Sequence, residues 1–268
     1  MDAKPGRCYR SGMRTLSPLD PPSARASGNA ARPDAGPDSG PDTGPDSGAD
    51  DALRAAFARV ETWVFDLDNT LYPPHERLFD QIEAKIAAYV IRELKVDEDE
   101  AARLRRAYWH DHGTTLAGLM IHHGIDPDPF LEEVHDISFA PLSPNPALAA
   151  AIAALPGRKI VYTNGTAPYA RAVCGALALD GLFEAFYGVD DAFYTPKPQP
   201  AAYQRIFGAD GLDPRRAAMF EDDPRNLEPP FRLGLETVWV IPDLAEPPTP
   251  PHVLHRTDDL AGFLRRLV

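Results

Sequence analysis

Two pairs of carboxylates, far apart in the chain, stand at positions from which they could bind a metal ion together. Asp66 and Asp68 lie two residues apart, directly after the short apolar run 62–65. Asp222 and Asp223 follow a second apolar run in the same way. Carboxylates held close together repel one another, so they share a proton or a cation. Their hard oxygen atoms suit Mg²⁺, which takes few protein ligands and adds water and substrate phosphate.

A cation, a hydroxyl group and two backbone amides elsewhere in the chain supply the other requirements of phosphate chemistry. Hydrolysis of a phosphate monoester needs a nucleophile, an acid for the leaving oxygen and positive charge at the phosphoryl group. Lys197 supplies a cation, and the prolines on either side of it stiffen its loop. Thr163 supplies a hydroxyl group, and the amides of Asn164 and Gly165 precede a predicted helix. These residues are therefore predicted to bind the phosphoryl group.

The elements that would bring these residues together are predicted from an alternation of apolar strands and amphipathic helices. Strands are predicted at residues 62–65, 159–162, 186–189, 217–220 and 237–241. Helices are predicted between and after them, at residues 146–155, 167–178, 199–208, 224–233 and 257–267. This order implies a Rossmann-like α/β fold, a doubly wound parallel sheet with helices on both faces. Ligands bind beyond the carboxyl ends of such strands, which is where the candidate residues fall.

Residues 75–145 interrupt this alternation and are predicted to be entirely helical. Helices are predicted there at residues 77–95, 97–111, 114–123 and 127–136. Asp97 is placed to cap the second of these helices, and Gly124 is placed to end the third. The chain is therefore predicted to fold as an α/β core, residues 51–74 and 146–268, into which residues 75–145 are inserted as a helical cap domain.

The first 50 residues differ in composition from the rest of the chain. They are rich in Pro, Gly, Ser and Asp, and a Pro-Asp-x-Gly unit repeats four times between residues 33 and 48. Such a segment buries too little apolar surface to offset the entropy that ordering it would cost. Residues 1–50 are therefore predicted to be a disordered, acidic tail. Weak calcium binding, recruitment of a partner and a start at Met13 instead of Met1 are the alternatives.

The composition of the 268 residues argues against several classes of function. The formal net charge of −13 disfavours a nucleic-acid polymer as a partner. The sequence contains no run of about 18 apolar residues and no apolar stretch after the basic residues near the N-terminus, so neither a membrane span nor a secretory signal is expected. Cys8 lies in the polar tail, so a structural disulfide is not expected either. We expect a cytoplasmic protein with a small phosphorylated substrate, and the oligomeric state stays open.

Taken in order, these segments resemble the haloacid dehalogenase-like (HAD) hydrolase superfamily over about residues 60–245. The likeness is carried by residues 66–71 (DLDNTL), 162–165 (YTNG), 197–198 (KP) and 220–227 (FEDDPRNL). Within the superfamily, the sequence is most similar to the pyrimidine 5′-nucleotidase branch. That second likeness is carried by residues 108–116 (YWHDHGTTL), 123–127 (HGIDP) and 134–136 (VHD).

The resemblance implies a phosphatase that works through a covalent phospho-aspartate. Asp66 would attack phosphorus, while Asp68 would protonate the leaving oxygen and then activate the water that hydrolyses the intermediate. The resemblance implies Mg²⁺ as the cofactor, bound by the Asp66 carboxylate, the Asp68 backbone carbonyl and Asp222. Asp223 would either join the ion or orient its waters.

The resemblance also implies phosphate contacts and a role for the cap. Thr163 and Lys197 would bind the phosphoryl oxygens, and the cap would exclude water and select the leaving group. Within the cap, His110, His112 and Thr114 are predicted substrate contacts, because the nucleotidase-like stretch contains them. A zinc site among the cap histidines is disfavoured, because their spacings match no known ligand pattern.

The function predicted from the sequence is therefore that of a Mg²⁺-dependent phosphomonoesterase. The pyrimidine nucleoside 5′-monophosphates UMP and CMP are the favoured substrates. A phosphatase for a sugar phosphate or phosphoglycolate and a phosphomutase are the alternatives. A dehalogenase is disfavoured, because carbon–halogen chemistry needs neither a metal nor an acid at position 68. A binding protein on a catalytic fold is disfavoured because no catalytic position is missing.

Overall fold

The core of the molecule is a single parallel sheet. The structure, a computed structural model, describes residues 47–242, 244 and 248–268. The predicted tail lies outside these residues, apart from its last positions, which form the start of the first helix. The strands of the sheet are β1 (Thr62–Phe65), β2 (Arg158–Tyr162), β3 (Ala185–Tyr187), β4 (Ala217–Glu221), β5 (Glu236–Val240) and β6 (His255–Thr257). Their order across the sheet is β3-β2-β1-β4-β5-β6, and every pairing is parallel.

Helices connect and cover the strands. In the described part of the chain they are α1 (Ser47–Phe57), α2 (Leu78–Leu94), α3 (Glu98–His112), α4 (Thr115–His123), α5 (Pro127–His135), α6 (Pro146–Ala154), α7 (Ala167–Ala176), α8 (Pro200–Asp210), α9 (Glu228–Leu233) and α10 (Leu260–Arg266). None of the described helices combines the length and the apolar character that crossing a membrane requires. The predicted α/β fold with a parallel sheet and helices on both faces is confirmed.

Alternation of side chains along β1 explains why helices cover both faces of the sheet. Successive residues of a strand point to opposite faces. Trp63 and Phe65 belong to a core cluster that includes Phe57 of α1 and Phe263 of α10. Val64 belongs to a second cluster, which includes residues of α8 such as Tyr203. The strand is therefore buried on both sides, as expected for the centre of a doubly wound sheet.

The register of the central strands determines where the candidate site residues lie along the sheet. Phe65 of β1 lies opposite Val161 of β2 and Phe220 of β4. Asp66 is the next residue of the chain, so it stands at the carboxyl edge of the sheet beside Glu221. The Asp66 N–H donates to the Phe220 carbonyl oxygen at 2.9 Å, which continues the strand pairing up to Asp66.

Four helices, α2 to α5, form the insert between β1 and β2. The side chain of Asp97 accepts a hydrogen bond from the Glu100 N–H at 2.9 Å, and this caps α3. Gly124 ends α4 with a φ of +65°, in the left-handed region. Gly118 permits close packing of α3 on α4, because a Cβ atom there would lie 2.1 Å from the Tyr108 ring.

The helix predicted at residues 224–233 is divided in two. A 3₁₀ turn covers Pro224–Leu227, and α9 then begins at Glu228. Pro229 and Pro230 lie in the first turn of α9. Proline is tolerated there because its missing N–H would have no partner inside the helix in any case.

The last strand and the first helix were not predicted from the sequence. Residues His255–Thr257 pair with β5 as a sixth strand, whereas a helix was predicted to begin at residue 257. The helix begins instead at Leu260, because the Asp259 side chain caps it by accepting the Gly262 N–H at 2.8 Å. Short polar strands such as β6 lack the apolar run that predicted the others.

Candidate active site

Lys197 lies buried between two carboxylates at the carboxyl edge of the sheet. Its Nζ donates to Asp66 Oδ1 and to Glu221 Oε2, both at 2.6 Å, and to the Tyr162 carbonyl oxygen at 3.1 Å. Burial alone would lower the pKa of the Lys197 ammonium, but the two carboxylates raise it above its ordinary value. The lysine is therefore charged, and it donates one N–H each to Asp66, Glu221 and the Tyr162 carbonyl oxygen, which holds the Asp66 carboxylate in place.

Asn164 fixes the backbone of the lysine loop. Its Oδ1 accepts from the Lys197 N–H at 2.8 Å, and its Nδ2 donates to the Lys197 carbonyl oxygen at 3.2 Å. On the other side of the loop, Gly113 of the cap approaches so closely that a Cβ atom would lie 2.7 Å from that carbonyl oxygen. The side chain of Asn164 thus positions Lys197, a role that the sequence did not indicate.

Three carboxylates at this edge form a group that fits a divalent cation. One oxygen atom from each of Asp66, Glu221 and Asp222 lies within 4.8 Å of the other two. Burial, followed by the charge of Asp66, raises the pKa of Glu221 to about 7. Burial, followed by the charge of Glu221, raises the pKa of Asp222 well above its ordinary value. Three carboxylates bring more negative charge than the one ammonium of Lys197 offsets, and their hard oxygen atoms suit Mg²⁺.

Asp68 lies outside this carboxylate group and is held by two tyrosines. The hydroxyl groups of Tyr72 and Tyr169 both donate to its Oδ1, each at 2.6 Å. Burial, followed by the nearby charge of Asp66, raises the pKa of Asp68 to about 6. A carboxyl group with a pKa near neutrality can give and take a proton in one reaction cycle, which is the requirement for general acid–base catalysis.

Thr163 and the backbone after it lie beside the carboxylates. The Thr163 side chain is buried, and its Oγ1 accepts from the Gly165 N–H at 2.9 Å. The loop precedes α7, whose first turn is capped by the Thr166 hydroxyl. All three predicted phosphate-binding residues of this loop line the same cavity as Asp66 and Lys197, namely Thr163, Asn164 and Gly165.

Asp223 lines the same cavity but does not belong to the three-carboxylate group, and it pairs with an arginine. Its Oδ2 accepts from Arg225 Nη2 at 2.7 Å, and its Oδ1 accepts from the Arg225 N–H at 3.0 Å. The Arg225 guanidinium also lies over the ring of Trp109 in the cap, 3.3 Å from its centroid. Asp223 therefore holds a side chain that connects the core to the cap.

A cavity of about 770 Å³ lies between the sheet edge and the cap. Its floor contains Asp66, Asp68, Lys197 and Asp222, and Thr114 of the cap lines it as well. The other two predicted cap contacts do not line this cavity but a separate surface depression, which contains His110 and His112.

The histidines of α3 and α4 form surface contacts. His110 pairs with Asp111 and is largely exposed. The Nε2 atoms of His112 and His122 lie 2.9 Å apart, so one ring donates to the other. Among the residues that the structure describes, the one group of three or more potential metal ligands consists of Asp66, Glu221 and Asp222 at the sheet edge.

Several residues that contact the site were not predicted from the sequence. Tyr169 donates to Asp68, and the ring of His135, at the end of the cap, stacks on Tyr169 with centroids 4.4 Å apart. Burial lowers the pKa of His135 to about 4, so the ring is neutral near neutral pH. Glu221 was part of the quoted fourth segment without a role, and Tyr72 follows Asp68 by four residues. His135 was likewise part of a quoted segment, residues 134–136, without a role, whereas no sequence signal pointed to Tyr169.

Known proteins with similar sequences and folds were found for most of the chain. The sequence model of the haloacid dehalogenase-like hydrolases matches residues 60–230. Enolase-phosphatase E1 of Frankia alni is 32% identical over 114 residues, a match that covers 41% of this chain and 46% of that protein. The chain thus matches less than half the length of this curated relative.

Two solved structures illustrate the likeness in fold. The 2-haloacid dehalogenase from Pseudomonas syringae pv. Tomato DC3000 has a TM-score of 0.50 and 18% identity, covering 78% of this chain and 98% of that one. The HAD-hydrolase YfnB from Bacillus subtilis, bound to magnesium, has a TM-score of 0.49 and 15% identity, covering 78% and 99%. The dehalogenase, with a TM-score of 0.50 and 18% identity, shows a shared fold and nothing about the substrate.

Proposed function

Because the chain belongs to the haloacid dehalogenase-like hydrolases, we propose that it is a Mg²⁺-dependent phosphomonoesterase that acts on pyrimidine nucleoside 5′-monophosphates. One observation carries the phosphatase part of this proposal. Asp68, whose pKa is raised to about 6, lies two residues after the proposed nucleophile Asp66. Asp66 accepts a hydrogen bond from Lys197 and belongs to the carboxylate group that fits a cation. That pairing of an acid–base group with a cation site is what phosphate ester hydrolysis needs and what dehalogenation does not.

In the first half of the proposed reaction, Asp66 is the nucleophile. Lys197 holds its Oδ1, and no described residue donates a hydrogen bond to Oδ2, which attacks phosphorus. The bond from phosphorus to the ester oxygen breaks, and Asp68 gives its proton to that oxygen as the nucleoside leaves. Asp66 then carries the phosphoryl group as an acylphosphate.

In the second half, Asp68 is a carboxylate and acts as the base. It takes a proton from a water molecule as the water oxygen attacks phosphorus, and the bond from phosphorus to Asp66 breaks. Inorganic phosphate leaves, and both aspartates return to their starting states. Tyr72 and Tyr169 keep the carboxyl group of Asp68 in one orientation through both proton transfers.

The cation, Lys197 and the Thr163 hydroxyl support the phosphoryl group during both steps. The carboxylates of Asp66, Glu221 and Asp222 would hold Mg²⁺, which supplies positive charge opposite the phosphate oxygens when it is bound. Lys197 and the Thr163 hydroxyl face the same cavity and offset the negative charge that accumulates near phosphorus.

The pyrimidine part of the proposal is supported by sequence likeness and by the cavity. Residues 108–116 and 123–127 resemble the pyrimidine 5′-nucleotidase branch. A cavity of about 770 Å³ lies within the usual range for sites that enclose small ligands, roughly 300–1,000 Å³, and it is larger than phosphoglycolate requires. The curated relative from Frankia alni is named as a phosphatase, which favours phosphate esters over halides as the substrate class.

A substrate panel with and without metal tests the proposal. Purified protein is assayed for phosphate release from UMP, CMP, AMP, glucose 6-phosphate, phosphoglycolate and 4-nitrophenyl phosphate, with Mg²⁺ or with excess chelator. We expect hydrolysis only with Mg²⁺, the highest kcat/KM for UMP and CMP, and none with Asp66→Asn. Activity in excess chelator would overturn the metal assignment, and equal rates on all esters would overturn the nucleotidase assignment. Return of the phosphoryl group to a sugar would indicate a phosphomutase.

A further inference from the structure

The cap side of the cavity is mostly apolar and also carries charged side chains, among them the partly buried Arg105 and the more exposed Glu83. The apolar lining is contributed by helices α2, α4 and α5, through Phe79, Ile82, Ile86, Leu116, Phe130, Leu131 and Val134. Glu83 of α2 and Arg105 of α3 line the same cavity. Walls of this kind suit the faces of a flat ring, whose polar edge needs partners of its own.

Arg105 has a hydrogen-bond donor from which no described residue accepts. Its Nε is buried and has no hydrogen-bond partner among the described residues. Its Nη2 lies 3.6 Å from Glu83 Oε1, which is too long for a hydrogen bond. A buried donor without a partner is rare in native proteins, and one that lines a cavity is accounted for when a ligand supplies the acceptor.

The charges of the two residues indicate the kind of ligand group. The Glu83 carboxylate offsets the charge of Arg105 and would repel a second anionic group on the substrate. A neutral edge that offers an acceptor beside a donor matches the pair, because arginine only donates and a carboxylate only accepts. Uracil offers carbonyl oxygens on both sides of its N3–H, and cytosine offers O2 and N3 beside its exocyclic amine.

We infer that Arg105 and Glu83 form the base-recognition site of the cap. Arg105 donates to a carbonyl oxygen of the pyrimidine, and Glu83 accepts from the neighbouring N–H. This inference rests on the proposed nucleotidase function and adds the residues that select the leaving group. It also places recognition on the face of α3 that carries Trp109, whereas the predicted contacts His110 and His112 lie on a different face.

The test compares substrates that keep or lose the polar edge of the base. UMP, N3-methyl-UMP, ribose 5-phosphate and 4-nitrophenyl phosphate are assayed with wild-type protein and with Arg105→Met, Arg105→Lys and Glu83→Ala. Arg103→Met is the matched control, because Arg103 also lies on α3 but pairs with Glu100 on the surface and does not line the cavity. Thermal melting checks that each variant is folded.

The expected result is a loss confined to the substrates that carry a base. Arg105→Met should lower kcat/KM for UMP by about 10- to 100-fold, the usual effect of removing a charged hydrogen bond to a substrate. Arg105→Lys should cause a smaller loss. Both should leave ribose 5-phosphate and 4-nitrophenyl phosphate within about twofold of wild type. Wild type should also discriminate against N3-methyl-UMP by about 10-fold or more, and Glu83→Ala should remove that discrimination.

Two negative outcomes have different meanings. If no phosphate ester is hydrolysed by the wild type, the proposed function is wrong. If the esters are hydrolysed but folded Arg105→Met and Glu83→Ala proteins treat UMP as the wild type does, the proposed function stands and the base-recognition site is wrong. An equal loss on every substrate would also overturn the site, because it would show an effect on the reaction itself.

Discussion

The two ends of the cavity differ in how completely their polar groups are paired. At the sheet edge, the Lys197 ammonium has three acceptors, and Asp68 accepts from two tyrosines. At the cap, the Nε of Arg105 has no hydrogen-bond partner within the described ranges, and the Nη2 of the same side chain lies 3.6 Å from Glu83 Oε1. Groups that perform one reaction are preorganised by the core, whereas groups that select a substrate are left for the substrate to complete.

The largest effect is expected from a substitution of Lys197, because its ammonium holds the carboxylates of the sheet edge in place. Lys197→Met should lower activity by about 10³-fold, since it removes charge from the phosphoryl site. It should also lower the free energy of unfolding near pH 8 by about 3–5 kcal/mol, because Asp66 and Glu221 would be left buried without a cation. Denaturant unfolding should show a smaller loss at pH 5, which lies below the raised pKa of Glu221, about 7, so that this carboxyl group is protonated. A fully stable variant at pH 8 would contradict this account of the core end.

The second-largest loss of activity is expected from a substitution of Asp68, and its size should depend on the leaving group. Asp68→Asn should lower kcat for UMP by about 10²–10⁴-fold, the typical contribution of a general acid. The loss should be smaller for 4-nitrophenyl phosphate, because nitrophenolate leaves without receiving a proton. Steady-state kinetics on both substrates measure the difference. Equal losses on the two esters would mean that Asp68 does not protonate the leaving oxygen.

The same residue predicts the pH dependence of the reaction. The pKa of Asp68 is raised to about 6, so the protonated acid is lost as the pH rises through that value. The kcat/KM for UMP should therefore fall above about pH 6, by up to tenfold per pH unit. Asp68→Asn should lack this limb, and a retained limb in the variant would assign the titration to another group.

The difference between the two ends also explains how much could be predicted from the sequence. Asp66, Lys197 and Asp222 were predicted because apolar strands bring their ends together, and strand order follows from alternation with helices. Tyr169 could not be predicted, because it lies on α7 and reaches Asp68 across 101 positions of the chain. Sequence spacing does not carry contacts of that kind.

The cap contacts were harder to predict because a helix has more than one face. Along α3, the residues that line the cavity recur every three or four positions, at Ala102, Arg105, Arg106 and Trp109. His110 and His112 do not line it and belong to a different face. The periodicity predicted the helix but not its rotation about its axis, which depends on packing of Tyr108 on Gly118 and of Gly113 on the lysine loop.

His135, at the end of α5 in the cap, stacks on Tyr169 of the core. Its protonation should affect the free energy of unfolding. Its pKa falls from 6.5 to about 4 on burial, so the folded protein binds fewer protons than the unfolded chain between these values. This contribution to stability is complete above about pH 6.5 and is lost as the pH falls to 4, by up to roughly 3 kcal/mol. The raised pKa of Asp68 acts in the opposite direction, so the difference between wild type and His135→Phe isolates the histidine. Denaturant unfolding at pH 7 and pH 4 measures it, and a difference that does not change with pH would contradict this assignment.

The smallest effect is expected at the contact that joins core and cap outside the reaction. Arg225 is held by Asp223 and lies over the ring of Trp109, on the face of α3 that lines the cavity. A cation–π contact of this kind contributes about 0.5–1 kcal/mol. Arg225→Met should therefore raise KM for UMP about two- to fivefold, because the cap is held less firmly over the substrate, while kcat should change little.

A matched arginine separates this contact from a general loss of charge. Arg232 pairs with Glu228 on the surface of α9, so Arg232→Met removes an arginine from the same region without touching the cap. It should leave KM unchanged. If Arg225→Met instead lowered kcat as strongly as Asp68→Asn does, the cap contact would belong to the catalytic end of the cavity. Trp109 and Arg225 would then have to be counted with the paired groups of the sheet edge and not with the substrate-selecting groups of the cap.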